Sequence, residues 1–180
     1  MSGSIESLQA SQRTRMEVLA GWREKPCTCP GPGVWKGLAE NTLTNNGVSP
    51  SDFCFSVVDL LVHGRSKGRN LFIIGRANTG KSFMVRPLEL VYRCLSNPAP
   101  NLFSFSDIEG KEVVVLDDFR LSPSNQGRPV EWQHFLVLCD GGTCHFSRPR
   151  TAFAEDVTIP SSNAIPIFCT GKGLPVSMGR

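Results

Sequence analysis

Eight consecutive residues, Gly75-Arg76-Ala77-Asn78-Thr79-Gly80-Lys81-Ser82, match the pattern G-x-x-x-x-G-K-[ST] at every fixed position. The chemistry needs each of them. Gly75 and Gly80 let the backbone turn sharply, so that successive N–H groups of the loop, from Arg76 through Ser82, point at phosphate oxygens. Lys81 brings positive charge to the β- and γ-phosphates, and the Ser82 hydroxyl is a ligand for Mg²⁺. A helix opening at Lys81 adds the positive end of its dipole. The ligand expected from these residues is a nucleoside triphosphate with Mg²⁺. Chance alone would produce the pattern in on the order of 1% of chains of this length.

A second constellation lies 36 residues beyond Lys81, where Asp117-Asp118 closes the run Glu112-Val113-Val114-Val115-Leu116. A carboxylate at the end of a strand beside a phosphate loop can hold Mg²⁺ through water, and a second can take a proton from an attacking water. Asp117 is assigned to the metal and Asp118 to the base. The reverse stays open, because neighbouring strand residues point to opposite sides.

Positioning these groups requires strands that end at the loop and at the acidic pair. Leu71-Phe72-Ile73-Ile74, residues 112–116 and Ile165-Pro166-Ile167-Phe168-Cys169 are short apolar runs, the signature of parallel strands buried on both faces. Helices are expected over residues 12–22, from Ser49 or Ser51 to Gly64, from Lys81 onward with Pro87 inside, and over residues 132–138. Gly141-Gly142 and Pro149 suggest hairpin turns on either side of residues 143–147. The order is that of an α/β fold, a phosphate-loop (AAA+-like) three-layer α/β/α arrangement with a mainly parallel sheet. Residues 1–48 read as an N-terminal helical and linker segment, with Pro-Cys-Thr-Cys-Pro-Gly-Pro-Gly at 26–33 as its breaker, and residues 49–180 as the core.

The blocks IIGRANTGKSF, EVVVLDDF, CDGGTCHFSRPRTAF and IPIFCTGK together resemble the superfamily 3 helicases of small DNA viruses and related mobile elements. Relatives of that type are parvovirus large non-structural proteins and the replication initiators of circular single-stranded DNA viruses. The similarity spans residues 70–172. It implies an ATP-driven DNA translocase that works as a homo-oligomeric ring on DNA, most simply single-stranded. A hairpin carrying basic residues into the ring channel would here be residues 141–151, with Arg148 and Arg150 as DNA contacts. The third strand of such enzymes ends in an asparagine that senses the γ-phosphate. This sequence departs from that: Lys172 takes the position, and Thr170, two residues earlier, could orient a water. The arginine finger of such rings lies further downstream than Arg180, so the resemblance implies a core incomplete at its C-terminal end, able to bind nucleotide but slow to hydrolyse it.

Other readings stay open. The same loop serves kinases of small molecules or nucleotides, and it serves nucleotide-binding assembly modules without catalysis. The absence of an Asn-Lys-x-Asp segment leaves nothing to favour GTP, and no His-hydrophobic-His block points to a nickase. A net charge of +3 demands no nucleic-acid partner, so any basic surface must be local. With 40% hydrophobic and 19% charged residues, a sizeable core is possible. No apolar run approaches a membrane span or a secretion signal. The expectation is a soluble intracellular protein without membrane partners, nuclear if it serves a eukaryotic host. Seven cysteines, an odd number scattered through apolar segments, suggest reduced thiols. Cys27 and Cys29 would need two further ligands to hold zinc, and the only ones near, Cys54 and His63, fall on an expected helix. Arg65-Ser66-Lys67-Gly68-Arg69 reads as a solvated basic turn.

Overall fold

Valine and isoleucine runs without polar interruption can be buried only between two layers, and that is where they lie. The computed structural model describes residues 14–26, 31, 33–96, 105–118, 132–146, 148, 156–160 and 164–172. The elements are α1 (Arg15–Arg23), α2 (Val34–Asn45), α3 (Pro50–His63), β1 (Leu71–Ile74), α4 (Lys81–Val91), β2 (Cys94–Ser96), β3 (Val113–Leu116), α5 (Trp132–Asp140), β4 (Cys144–Phe146), β5 (Val157–Ile159) and β6 (Ile167–Gly171). Four strands form one wholly parallel sheet in the order β1-β6-β3-β2, and β4 pairs with β5 in a separate antiparallel ribbon. This is the mainly parallel α/β/α arrangement expected from the sequence.

The period-2 alternation of the strands divides the core in two. Val113, Val115 and Phe168 face Leu60, Leu61 and Val85 of α3 and α4. Val114, Leu116, Ile167 and Cys169 face the other way, toward Phe135 and Leu138 of α5 and toward Cys144, Phe146, Val157 and Ile159 of the ribbon. Each residue of β3 and β6 is buried, as a central parallel strand covered on both faces requires.

Helix ends follow local chemistry. Thr14 caps α1 in a capping box with Glu17, and Ser49 caps α3 ahead of Pro50. Gly64 ends α3 with a φ of 71°, and its N–H donates to the Leu60 carbonyl at 2.8 Å. A Cβ there would lie 1.7 Å from the Ala164 carbonyl oxygen, so only glycine lets the chain leading into β6 pass this close. Pro87 lies within α4, which runs on to Val91.

Four features differ from the sequence expectation. Residues 34–45 form a helix, α2, whose Ala39 and Leu43 pack on Met84, Phe53 and Phe83. A short edge strand, β2, follows α4. The partner of β4 is β5, ten and more residues downstream, rather than a tight return near Pro149. Arg65 is also no solvated residue: it is 2% exposed, its Nε donates to the Leu138 carbonyl at 2.7 Å, and its terminal nitrogen donates to Gly142 at 2.9 Å. A carbonyl at the negative end of α5 and one from the turn after it let a guanidinium be buried. Among the described residues no helix is long and apolar enough to cross a membrane.

Candidate functional site

β6 sits between β1 and β3, so three strand ends meet at one edge of the sheet: β1 running into the phosphate loop, β3 into Asp117, and β6 into Gly171 and Lys172. Open parallel sheets bind ligands outside the carboxyl ends of their strands. With neighbouring strands about 4.8 Å apart, β3 stands roughly 10 Å from β1, and the chain between β1 and α4 must bridge that gap.

The loop from Gly75 to Gly80 does so by reversing onto α4. Gly75 N–H donates to the Gly171 carbonyl at 3.1 Å, tying the loop's first residue to β6. Asn78 has φ 61° and Gly80 φ 85°, both left-handed, a conformation asparagine and glycine adopt more readily than other residues. Gly80 is the N-cap of α4, and no side chain caps that end. The first N–H groups of α4 therefore lack an intrahelical partner, as at any helix start. The Lys81 ammonium lies across the loop, donating to the Arg76 carbonyl at 2.6 Å and reaching Thr79 Oγ1 at 3.4 Å. Thr79 Oγ1 also donates to Arg76 O at 2.9 Å. Arg76, Ala77 and Asn78 form the exposed crest.

Ser82, one residue into α4, donates its hydroxyl to Asp117 Oδ1 at 2.7 Å. Asp117 continues the alternation of Val113 and Val115, the residues of β3 that face α4, and this parity points it at Ser82. Thr170 has the parity of Phe168 on the same face. It is 2% exposed, and its hydroxyl donates to the same Asp117 oxygen and accepts from the Asp118 N–H at 2.8 Å. A hydroxyl has one hydrogen to donate, and Thr170 gives it to Asp117. Thr170 thereby ties the Asp117 carboxylate to the Asp118 backbone, with one lone pair still able to accept. Asp118 has φ 50° and an exposed side chain turned out of the strand direction. Lys172 is exposed just beyond the Gly171 carbonyl that holds the loop.

Ser82 and Asp117 supply a hydroxyl and a carboxylate, hard oxygen donors of the type Mg²⁺ takes. Mg²⁺ keeps several waters and substrate phosphates in its shell. The lack of a cluster of three or more His, Cys, Asp or Glu among the described residues therefore does not conflict with this donor pair. Cys27, Cys29 and Arg150 lie outside the described residues. Arg148 follows β4 and pairs with the exposed Glu109 carboxylate, while its N–H donates to Asp156 at 3.4 Å.

No family model matches the sequence, and no curated protein matches it. Solved structures do. The chain is similar in fold to the C-terminal region of NrS-1. With one structure of that region (305-718) the TM-score is 0.55 at 18% identity, over 86% of this chain and 37% of the other. Two further structures of the region give TM-scores of 0.52 and 0.51 at 18% and 16% identity. The present chain thus spans little more than a third of the length of those structures, and identity this low establishes a common fold only.

The sequence reading missed one contributor to the site. Asn46, just past α2, donates its side-chain amide to the Thr79 carbonyl at 3.3 Å. No signal along the chain links residues 33 positions apart; only the packing of Trp35, Ala39 and Leu43 on α4 brings them together.

Proposed function

We propose that this chain is the nucleotide-binding core of a superfamily 3-type DNA helicase, which binds ATP with Mg²⁺ and couples its hydrolysis to movement on DNA in replication of a virus-like or mobile element. The observation that carries the reading is the 2.7 Å contact between Ser82 and Asp117 at the edge where β1, β6 and β3 end. A phosphate loop without an acidic partner would be an anion-binding turn; the partner gives it a metal-side carboxylate.

In this reading the amides from Arg76 to Ser82 and the Lys81 ammonium hold the triphosphate. Lys81 exchanges the Arg76 carbonyl for β- and γ-phosphate oxygens. Ser82 and Asp117 hold Mg²⁺, which supplies charge neutralisation on the phosphates when bound. Asp118 accepts the proton of the attacking water, and Thr170 holds the Asp117 carboxylate and the Asp118 backbone N–H. Arg148 and Arg150, between β4 and β5 in the sequence, contact DNA phosphates, and several copies assemble as a ring.

The test is Mg²⁺-dependent binding of a fluorescent ATP analogue. Lys81→Ala should abolish it, and wild-type affinity in that variant would refute the site. Stimulation of hydrolysis by single-stranded DNA separates a translocase from a kinase, which would instead transfer phosphate to a small acceptor.

A further inference from the structure

The C-terminal turn of α2 abuts the phosphate loop. Thr42 turns its hydroxyl back to the Leu38 carbonyl at 2.7 Å, which leaves its methyl against Gly80; a Cβ at position 80 would lie 2.6 Å from that methyl. One turn on, the Asn46 side-chain amide bridges two carbonyls, Thr42 O at 2.7 Å and Thr79 O at 3.3 Å. Two more carbonyls of this helix end are also engaged: Leu43 O accepts from the N–H groups of Asn46 and Val48, and Thr44 O from Gly47. A helix C-terminus carries partial negative charge, which would repel a polyphosphate; these bonds offset part of it.

The bond to Thr79 fixes an orientation. Among the described residues there is no cis peptide, so the Thr79–Gly80 carbonyl and N–H lie in one plane and point in opposite directions. A carbonyl drawn toward α2 therefore aims the Gly80 N–H away from α2. Gly80 has no side chain and a left-handed φ of 85°, so this peptide can reorient more readily than one before a residue with a Cβ. Thr79 Oγ1 and Lys81 tie other parts of the loop to Arg76, but neither engages the Thr79 carbonyl.

We infer that Asn46 is a positioning residue for the phosphate loop: from outside it, its amide sets the Thr79–Gly80 peptide so that the Gly80 N–H is presented to an anion. The inference rests on the nucleotide-binding reading for its functional consequence, though not for the orientation itself.

Two readouts on the full chain test it. The first is the affinity for a fluorescent ATP analogue with Mg²⁺. Asn46→Leu, close in volume but without donors, should weaken it about three- to tenfold, the range of one net hydrogen bond, at an unchanged melting temperature. Asn46→Gln, which keeps the amide, should recover most of the loss. The second is hydrogen exchange of amides 79–82 without nucleotide, which should be faster in Asn46→Leu than in wild type. Wild-type affinity and exchange in Asn46→Leu would overturn the inference, as would equal losses in both variants that track melting temperature. If the wild-type chain bound no triphosphate, the site reading would fail. The exchange comparison would then decide the role of Asn46 by itself: faster exchange upholds it and identical exchange overturns it.

Discussion

Replacing Thr170 with valine removes a single oxygen from the centre of the candidate site while keeping the shape of the side chain. Thr170 is 2% exposed, and its hydroxyl donates to Asp117 and accepts from the Asp118 N–H at 2.8 Å. A hydrogen bond to a charged group contributes about 1.5–3 kcal/mol net. The second loss is smaller, because the Asp118 N–H keeps Asp117 Oδ1 as an acceptor at 3.1 Å. Asp117 also keeps the Ser82 hydroxyl and is only half-buried, so water can replace part of what it loses. The expected destabilisation is about 2 kcal/mol, a fall in melting temperature of about 4–8 °C for a chain of this size. Thr170→Ser, which keeps the hydroxyl, should lose much less. If Asp117 and Asp118 handle metal and water, Thr170→Val should also slow Mg²⁺-dependent ATP hydrolysis by at least about tenfold, equivalent to about 1.4 kcal/mol. Thermal denaturation and steady-state turnover on wild type, Thr170→Val and Thr170→Ser provide the comparison. A valine variant with wild-type melting temperature and turnover would refute the reasoning. So would a serine variant as damaged as the valine one, since that would assign the effect to the methyl group.

Two further outcomes are expected. If Arg148 contacts DNA, Glu109 competes for it, so Glu109→Gln should tighten single-stranded DNA binding up to a few-fold, the scale of an exposed ion pair, and Arg148→Ala should weaken it; wild-type affinity of both variants by fluorescence anisotropy at fixed salt would refute the contact. Burial pushes the Tyr92 hydroxyl up to about 12, against a lowering by Arg15 and smaller raising effects of Glu112 and Cys94. The unfolded chain then loses this proton near pH 10 while the folded chain keeps it, so stability present below about pH 10 is lost as pH rises toward 12. The Cys94 and Cys139 thiols, each raised to about 12 chiefly by burial, act in the same sense. Urea unfolding between pH 8 and 12 should show a shallower decline in Tyr92→Phe than in wild type; parallel curves would remove Tyr92 as a contributor.

The parallel sheet was legible because the strands buried on both faces carry unbroken apolar runs, and a four-residue run such as Val113–Leu116 needs no partner to be recognised. β2 and β5 escaped because three residues are too few to show a period. Helix α2 was hidden by Gly37, Thr42 and Thr44, weak helix formers whose cost is offset by packing against α4. Arg65 looked like a surface charge because its partners, the carbonyls of Leu138 and Gly142, lie more than seventy residues away.

By itself the sequence singled out the candidate phosphate loop, since its glycines act through the backbone, and its lysine and serine through their side chains, within one contiguous turn. It also placed an acidic pair at the end of a buried strand. It could not decide which aspartate meets Ser82, because alternation fixes only that neighbours point apart, not which face α4 covers. The tertiary structure decided that by inserting β6 between β1 and β3 and laying α4 on the face of Val113 and Val115, which turns Asp117 toward Ser82 and sets Thr170 between the two aspartates.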